Sequence, residues 1–238
     1  MIKIEKLPEL GVIVVAGGSG LRFGGSNKLL AKIVGIPVFI HSLRNFHRLC
    51  LPGNLVLVVK KEETAKFADA LGNFLPGSDV KMVHGGKTRM HSVVNGLSAL
   101  PKTAKFAAVH DAARPLATAD LLVSSYKAAK KHGAAVTAKR LTDTVKVGDG
   151  KCLVVKTLDR NSLWRVETPQ IFPTAELMSA YMKAFAEKLD LTDDSAVMEN
   201  AGFSPFLFEY KLHNLKITFP EDLEMAGTHL LSSVGKRD

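Results

Sequence analysis

Cysteine and aromatic residues are scarce in this sequence. Its 238 residues include two cysteines and one tryptophan, and aromatic residues make up 7% of the chain. Cys50 and Cys152 lie far apart and outside any metal-ligand spacing, which argues against a disulfide framework and indicates a reducing compartment. Basic residues form no run interleaved with aromatic ones, so the composition disfavours nucleic acid as a partner.

Long apolar segments are also missing. No apolar run approaches the roughly 20 residues that a membrane-spanning helix needs. The N-terminus carries no hydrophobic core of the kind found in signal peptides. We therefore expect a cytoplasmic protein that has no membrane partner.

Several familiar catalytic and nucleotide-binding motifs are absent. The sequence has no Ser-His-Asp spacing, nucleophile elbow or zinc motif. The glycine-rich stretch at residues 11–28 is not a Walker loop, because Lys28 neither follows glycine nor precedes serine or threonine. It is not a dinucleotide fingerprint either, since Phe23 stands where the third glycine is required. A glycine loop of another phosphate-binding type remains, or a turn that needs glycine for its geometry alone.

The chain has an ordinary apolar content and an excess of positive charge. Hydrophobic residues make up 46% of it, and its formal net charge is +9 at pH 7. This length and composition suit one large globular domain. The basic excess favours anionic partners such as nucleotides and sugar phosphates, or reflects a solvated basic surface.

Apolar strand-like runs alternate with amphipathic helical segments through the first half of the chain. The alternation predicts an α/β fold built on a mostly parallel sheet with right-handed crossovers. The predicted strands cover residues 12–16, 55–59, 80–83, 106–109, 134–138 and 205–208. The predicted helices cover residues 37–49, 62–74, 119–132 and 175–187, with others following residues 89, 192 and 219.

The alternation breaks at Thr142. Strand-like segments at residues 144–147 and 153–158 flank Gly148-Asp149-Gly150, and an Asp-Gly pair in that position predicts a hairpin. Few large apolar residues of this hairpin could pack on a main core. We expect an arm that leaves the body and embraces a second subunit, or a flap that folds onto its own domain.

Glycines and charged residues recur where predicted strands end. The first strand runs into the glycine loop with Lys28, the third into residues 85–87, and the fourth into Asp111. Because the carboxyl ends of parallel strands share one edge of a sheet, these residues predict one common site. Glycines and cations suit phosphates, and a carboxylate suits Mg²⁺, unless Asp111 only caps a turn or pairs with Arg114. A site of this kind without a nucleophile matches in-line phosphoryl or nucleotidyl transfer.

Three other titratable residues lie near these motifs. His110 is interpreted as a packed or loop-fixing residue. Asp193 and Asp194 are interpreted chiefly as acids that start a helix, where carboxylates are favoured in any case.

A series of short motifs runs in order along nearly the whole chain. The first, Ala16-Gly-Gly-Ser-Gly-Leu-Arg22 with Asn27-Lys28, resembles the signature of sugar-phosphate nucleotidyltransferases. The others are Gly85-Gly86-Lys-Thr-Arg89, His110-Asp111-Ala-Ala-Arg114-Pro115, Thr142-Asp143-Thr144, Asp159-Arg160, Thr168-Pro-Gln170, Thr192-Asp193-Asp194 and Asn214-Leu-Lys216. Together they resemble one family within that class, the 2-C-methyl-D-erythritol 4-phosphate cytidylyltransferases.

This resemblance implies a fold, a reaction and a set of site residues. The fold would be a Rossmann-like three-layer nucleotidyltransferase fold with a mostly parallel, twisted sheet, forming a single domain over residues 1–238 with a protruding β-hairpin arm at residues 141–163. The reaction would transfer a cytidylyl group from CTP to 2-C-methyl-D-erythritol 4-phosphate, with Mg²⁺, in the non-mevalonate isoprenoid pathway. The implied catalytic residues are Arg22, Lys28 and Lys216; the nucleotide-binding ones are Ala16, Gly17, Gly18, Gly20, Gly85, Gly86, Ser92, Asp111 and Ala112; the substrate-binding ones are Arg114, Thr144, Arg160 and Thr168; and the metal ligand is Asp111.

The resemblance further implies a homodimer whose arms cross, so that Arg160 would serve the partner's site. A related family, the ribitol-5-phosphate cytidylyltransferases, tends to carry a bulkier residue than Ala113. A molybdopterin-guanine-type transferase would share only the opening loop, and a non-catalytic nucleotide sensor would have no need of the retained cations. Departures from the family pattern at residues 139–141 and 210–213 leave the acceptor partly open.

Overall fold

A mixed seven-stranded sheet lies at the centre of the computed structural model, which describes residues 5–18, 23 and 27–234. The predicted site residues Gly20 and Arg22 lie outside the described residues. The strands are β1 (Leu10–Val15), β2 (Lys32–Ile33), β3 (Ile36–Pro37), β4 (Leu55–Val59), β5 (Lys81–His84), β6 (Phe106–Asp111), β7 (Ala135–Arg140), β8 (Lys146–Gly148), β9 (Val154–Thr157), β10 (Trp164–Pro173) and β11 (Phe206–Glu209). The helices are α1 (Val38–His47), α2 (Thr64–Phe74), α3 (Arg89–Ala99), α4 (Ala119–His132), α5 (Thr174–Ala186), α6 (Asp194–Asn200) and α7 (Asp222–Val234), with short 3₁₀ turns at Lys61–Glu63 and Arg160–Ser162.

The strands of the central sheet follow the order β11-β7-β10-β6-β1-β4-β5. All neighbouring pairs are parallel except those that β10 makes with β6 and β7. In the centre, Val15 pairs with Asp111 of β6 and with Val58 of β4. The ends of these strands therefore stand side by side, which confirms the predicted shared edge.

Helices cover both faces of this sheet. Along β1, Val12 and Val14 belong to one core with α1, α2, α4 and α7, whereas Ile13 belongs to a second core with α3, α5 and α6. The same alternation along β4 places Leu57 in the first core and Val58 in the second. Because successive strand side chains point to opposite faces, a continuous apolar run supplies both cores. The predicted three-layer α/β architecture is confirmed.

The predicted bounds of most elements agree with the observed ones to within two residues. Pro37 precedes α1 rather than lying in it, and its fixed φ of −55° suits that position. The helix predicted from residue 62 begins instead with the 3₁₀ turn, and α2 starts at Thr64. Gly133 follows α4 with φ 86°, as the predicted cap requires.

Strand β10 is the longest element that sequence reasoning missed; the two-residue strands β2 and β3 were not predicted either. Its centre is the polar stretch Glu167-Thr168-Pro169-Gln170, which lacks an apolar run, and its pairing with β7 shifts register between Val166 and Gln170. These polar side chains are buried with partners from elsewhere in the chain; Gln170, for example, donates to Asp193 Oδ2 at 2.8 Å. The strand is thus stabilised by distant partners that no local pattern reveals.

Strands β8 and β9 form the predicted hairpin as a two-stranded sheet of their own. They are shorter than predicted, and all four residues of β9 are exposed. Leu153, Val154 and Val155 each expose more than three-fifths of their surface, at 63%, 65% and 62%. The hairpin therefore presents an apolar stretch to solvent in the single chain.

Candidate active site

A cleft of about 800 Å³ opens at the carboxyl edge of the sheet, beside β1, β4, β5 and β6. Among the residues that the structure describes, its lining carries six cationic side chains and two acidic ones, an excess of four positive charges. The cations are Lys28, Lys60, Lys61, Lys87, Arg89 and Lys216, and the acids are Glu62 and Asp111. A cleft with this charge favours a polyanionic ligand.

Two glycine-containing loops meet in this cleft at Ser92. A Cβ atom on Gly17, after β1, would lie 3.6 Å from Ser92 Oγ, and one on Gly85, after β5, would lie 2.8 Å from the same atom. Ser92 Oγ accepts a hydrogen bond from Gly86 N at 3.1 Å and donates one to Thr88 O at 3.0 Å. The glycines thus allow bare backbone to line the cleft, and the hydroxyl of Ser92 fixes the second loop.

Asp111 ends β6 with its side chain facing the cleft. Lys216 Nζ donates to its Oδ2 at 2.6 Å, and Arg89 Nη2 lies 3.6 Å from its Oδ1. Burial would raise the pKa of this carboxyl, but the charges of Arg89, Lys216 and Arg114 outweigh burial and hold the pKa well below its usual range. Asp111 is therefore ionised at neutral pH.

The segment that carries Lys216 is attached to the cleft from two sides. Ile217 N donates to Ala113 O at 2.8 Å, which joins this segment to the loop after β6. Lys28 Nζ donates to Ile217 O at 2.6 Å across 189 residues of sequence. Lys28 and Lys216 are thereby brought to the same end of the cleft as Asp111.

A buried layer of polar residues lies directly beneath Asp111. Thr168 Oγ1 accepts from Asp111 N at 3.0 Å and lies 3.1 Å from His110 Nδ1. His110 is fully buried, and burial lowers its pKa to about 3, so the imidazole is neutral. Arg114 Nη1 donates to Asn214 O at 2.7 Å, and Asn214 Nδ2 donates to Thr168 O at 2.8 Å. The interpretation of His110 as a packed residue is confirmed.

The structure brings eight of the predicted site residues to the cleft lining: Gly17, Gly18, Lys28, Gly85, Gly86, Ser92, Asp111 and Lys216. Ala16 and Ala112 are buried, and their backbone N–H groups donate within the sheet to Val58 O and Val15 O. Arg114 and Thr168 are buried at 8% and 4% exposure in the layer beneath. Thr144 and Arg160 are exposed on the hairpin and are not part of this chain's own cleft lining.

Sequence reasoning missed the pair formed by Arg89 and Asp194. Asp194 is fully buried at the start of α6, and its Oδ2 accepts from Arg89 Nη2 at 2.7 Å. Tyr181 of α5 donates its hydroxyl hydrogen to the other oxygen, Oδ1. Burial would lower the pKa of Arg89, but the charges of Asp194 and Asp111 raise it. Asp193, as predicted, caps α6 by accepting from Ala196 N at 3.0 Å.

Sequence reasoning also gave no role in the site to Lys60 and Lys61. They follow β4 and line the cleft. The rule that identified Asp111, namely that residues at the ends of parallel strands share one edge, applies to them equally. That signal was sufficient to find both lysines.

The donor chemistry of the cleft fits a magnesium ion held largely by its substrate. Asp111 supplies an ionised carboxylate, and in residues 5–18, 23 and 27–234 no group of three or more His, Cys, Asp or Glu side chains could enclose a metal. Mg²⁺ commonly takes one or two carboxylates and completes its shell with phosphate oxygens and water. The carboxylate of Asp111 fits that mode of binding on the protein side.

Within the same described ranges, no helix has both the length and the apolar character to cross a membrane.

Comparison with known proteins links this chain to one enzyme family. A family model described as 2-C-methyl-D-erythritol 4-phosphate cytidylyltransferase matches residues 10–232. Proteins of that name from Carboxydothermus hydrogenoformans and Caldanaerobacter subterraneus are 39% and 36% identical to this chain. The first match covers 92% of this chain and 94% of that protein, and the second covers 92% and 97%.

Solved structures agree with the sequence relatives. The crystal structure of 4-diphosphocytidyl-2C-methyl-D-erythritol synthase from Anaerococcus prevotii matches with a TM-score of 0.80 and 28% identity, over 93% of this chain and 96% of that one. The Thermus thermophilus 2-C-methyl-D-erythritol 4-phosphate cytidylyltransferase matches with a TM-score of 0.76 and 27% identity, over 93% and 98%. The relatives and the neighbours thus extend over nearly the whole chain.

Proposed function

The chain belongs to the 2-C-methyl-D-erythritol 4-phosphate cytidylyltransferase family, and we propose that the cleft at the carboxyl edge of its sheet is the active site. The protein is a nucleotidyltransferase of the non-mevalonate isoprenoid pathway. It transfers a cytidylyl group from CTP to 2-C-methyl-D-erythritol 4-phosphate, giving 4-diphosphocytidyl-2-C-methyl-D-erythritol and pyrophosphate. The observation that carries the proposed location is the convergence of two glycine loops at Ser92, beside six cations and the strand-end carboxylate of Asp111.

The triphosphate lies along the cations of the cleft in this proposal. Backbone groups around Gly17, Gly85 and Gly86 hold the nucleotide, and Ser92 keeps the second glycine loop in place. The family resemblance extends the nucleotide site to Ala16, Gly18, Gly20 and Ala112. The buried Ala16 and Ala112 have no reactive side chain and give their N–H groups to the sheet, so they shape the wall of the site.

The reaction needs charge neutralisation more than it needs a nucleophile. An oxygen of the acceptor phosphate attacks the α-phosphorus of CTP in line, the bond to the bridging oxygen of the β-phosphate breaks, and pyrophosphate leaves with the electron pair. Lys28 and Lys216, with Arg22, stabilise the negative charge that builds up on the phosphoryl oxygens and on pyrophosphate. Mg²⁺, when bound at Asp111, neutralises part of the charge of the triphosphate.

The acceptor site is proposed to include residues of a second subunit. Thr144 and Arg160 are on the hairpin and outside the cleft lining of their own chain, while Arg114 and Thr168 lie beneath Asp111. The exposed apolar stretch at Leu153, Val154 and Val155 supports burial of the hairpin in a homodimer. The arm at residues 141–163 and the single domain of residues 1–238 belong to this proposal, and a cytoplasmic location stays a prediction.

Pyrophosphate release tests the proposed active site. Wild-type protein with CTP and Mg²⁺ is assayed with methylerythritol phosphate, with ribitol 5-phosphate and with no acceptor, and Asp111→Asn is compared with Lys66→Ala, which removes an exposed charge on α2. We expect release with methylerythritol phosphate in wild type and Lys66→Ala, and a loss of about a hundredfold in kcat/KM in Asp111→Asn. Wild-type activity in Asp111→Asn would show that the reaction occurs elsewhere.

Sharing of the site is tested by mixing two inactive variants. Lys28→Ala and Arg160→Ala are each expected to be weak as homodimers. A heterodimer of the two keeps one site with both residues intact if the arms cross, so activity should return to as much as about half of the wild-type value. Purified heterodimers with no regained activity would mean that Arg160 serves its own chain.

A further inference from the structure

Arg89 contacts two carboxylates that differ in burial and in distance. Asp194 is fully buried and accepts from Arg89 Nη2 at 2.7 Å, whereas Asp111 lines the cleft and its Oδ1 lies 3.6 Å from the same nitrogen. The shorter distance is that of a charge-assisted hydrogen bond, and the longer one exceeds the range of a direct hydrogen bond. Arg89 is therefore hydrogen-bonded to Asp194 and makes no direct hydrogen bond with Asp111.

The other contacts of the two carboxylates support this arrangement. Tyr181 donates its hydroxyl to Asp194 Oδ1, so both oxygens of the buried carboxylate have a partner. On Asp111, Lys216 Nζ donates to Oδ2 at 2.6 Å, and within the part of the chain that the structure describes the side-chain contact of Oδ1 is the long one with Arg89. A guanidinium beside a carboxylate tends to form two parallel hydrogen bonds, which here would occupy Oδ1 of Asp111 as well. The hydrogen bond from Arg89 to Asp194 opposes this approach of Arg89 to Asp111.

We propose that Asp194 and Tyr181 are positioning residues that hold Arg89 away from Asp111 and so keep Asp111 Oδ1 available to the magnesium ion that accompanies CTP. This inference rests on the proposed metal role of Asp111. It assigns a function to a carboxylate that the cleft itself does not expose, 105 residues away from Arg89 in the sequence. Without Asp194, Arg89 closes on Asp111 and competes with the metal.

A purely structural ion pair would behave differently. Breaking a buried pair destabilises a protein because it leaves a charge without a partner. Such damage weakens CTP binding to a similar degree with and without Mg²⁺. Competition at Asp111 instead weakens the part of CTP binding that depends on the metal. The ratio of the CTP dissociation constant in EDTA to that in saturating Mg²⁺ therefore separates the two roles.

The experiment measures this ratio by isothermal titration of CTP, without acceptor. Asp194→Asn should lower the ratio by roughly tenfold, the effect of one added charge-assisted hydrogen bond at Asp111. Tyr181→Phe, which keeps the carboxylate but removes one of its partners, should lower it by a smaller factor and serves if Asp194→Asn does not fold. Glu199→Gln makes the same chemical change on the exposed side of α6 and should leave the ratio unchanged. Equal weakening of CTP binding in EDTA and in Mg²⁺ in both variants would overturn the inference.

A second variant background identifies Arg89 as the intermediary. In Arg89→Gln the competing guanidinium is absent, so the ratio should stay at or above the wild-type value, and adding Asp194→Asn should change it no further. A tenfold fall in the ratio when Asp194→Asn is added to Arg89→Gln would refute the role of Arg89.

The variant Asp111→Asn separates this inference from the proposed function. If Asp111→Asn leaves the ratio at the wild-type value, the metal role of Asp111 is wrong. If Asp111→Asn lowers the ratio while Asp194→Asn and Tyr181→Phe do not, only the positioning role of Asp194 and Tyr181 is wrong.

Discussion

Replacing Thr168 by valine tests whether its hydroxyl supports Asp111 from within the protein. Family resemblance assigns Thr168 to the sugar phosphate, but its side chain is buried at 4% exposure. Its Oγ1 accepts from Asp111 N at 3.0 Å and lies 3.1 Å from His110 Nδ1. When His110 Nδ1 is the unprotonated ring nitrogen, it accepts the hydroxyl hydrogen of Thr168, and no donor is then left for a phosphate oxygen.

The size of the effect follows from the contacts that valine cannot make. Valine has nearly the shape of threonine, so the cavity term is small, but the N–H of Asp111 and the Nδ1 of His110 lose their partner. Leaving a buried polar group unsatisfied costs about 1–3 kcal/mol. We expect a loss of about 2 kcal/mol in the free energy of unfolding, equal to a fall in Tm of roughly 4–8 °C for a chain of this length. Displacement of Asp111 should lower kcat by about tenfold.

Urea unfolding, thermal unfolding and steady-state kinetics measure these effects, with Thr168→Ser as the matched control. Serine keeps the hydroxyl, so it should retain most of the stability and kcat. If the hydroxyl hydrogen of Thr168 is donated to His110 inside the protein, the KM for methylerythritol phosphate should change by less than about threefold in the valine variant. A valine variant with wild-type Tm and a KM raised more than about tenfold would refute this reasoning and support direct binding of the sugar phosphate by Thr168.

Three other positions give shorter tests. Lys28→Ala should lower kcat by about a hundredfold while the CTP dissociation constant changes by less than about tenfold, because the transition state needs its charge most; equal losses in titration and turnover would contradict that role. Gly96→Ala should lower the free energy of unfolding in urea by about 1–3 kcal/mol, since the new Cβ would lie 2.5 Å from Ile13 Cγ2. Its control, Gly72→Ala, places the Cβ in open space and should leave that free energy unchanged or raise it. Burial lowers the pKa of His41 below its ordinary 6.5, so the unfolded chain takes up a proton first and stability should fall as the pH drops below about 6.5; an unchanged slope in His41→Gln would exclude this source.

The acceptor site is the part of the proposal that depends most on assembly. Thr144 and Arg160 are predicted from motifs alone, and in the single chain they lie on the exposed hairpin. Arg160 Nη1 donates to Thr142 O at 2.8 Å, which fixes the guanidinium near the base of the arm. In the proposal, a second subunit supplies the geometry that brings Arg160 to a cleft.

Local pattern was sufficient to predict the strand ends and therefore the place of the site. The apolar run of β4 predicted its bounds at Leu55–Val59, because a strand buried on both faces needs such a run. The glycines after β1 and β5 and the carboxylate of Asp111 predicted one shared edge, because parallel strands end on the same side. Charge at strand ends likewise points to Lys60 and Lys61, although their place in the cleft emerged only from the structure.

Contacts between distant segments were decided only by the tertiary structure. The polar centre of β10 has no strand-like pattern, and its burial depends on partners such as Asp193 and Thr137. The bond from Lys28 to Ile217 spans 189 residues and that from Arg89 to Asp194 spans 105. The spacing of apolar residues in the sequence indicates which face of a helix or strand is apolar, but it does not indicate which other element packs on that face. The sequence by itself thus determined the fold class and the edge that carries the candidate site, whereas packing alone decided which charges meet at Asp111.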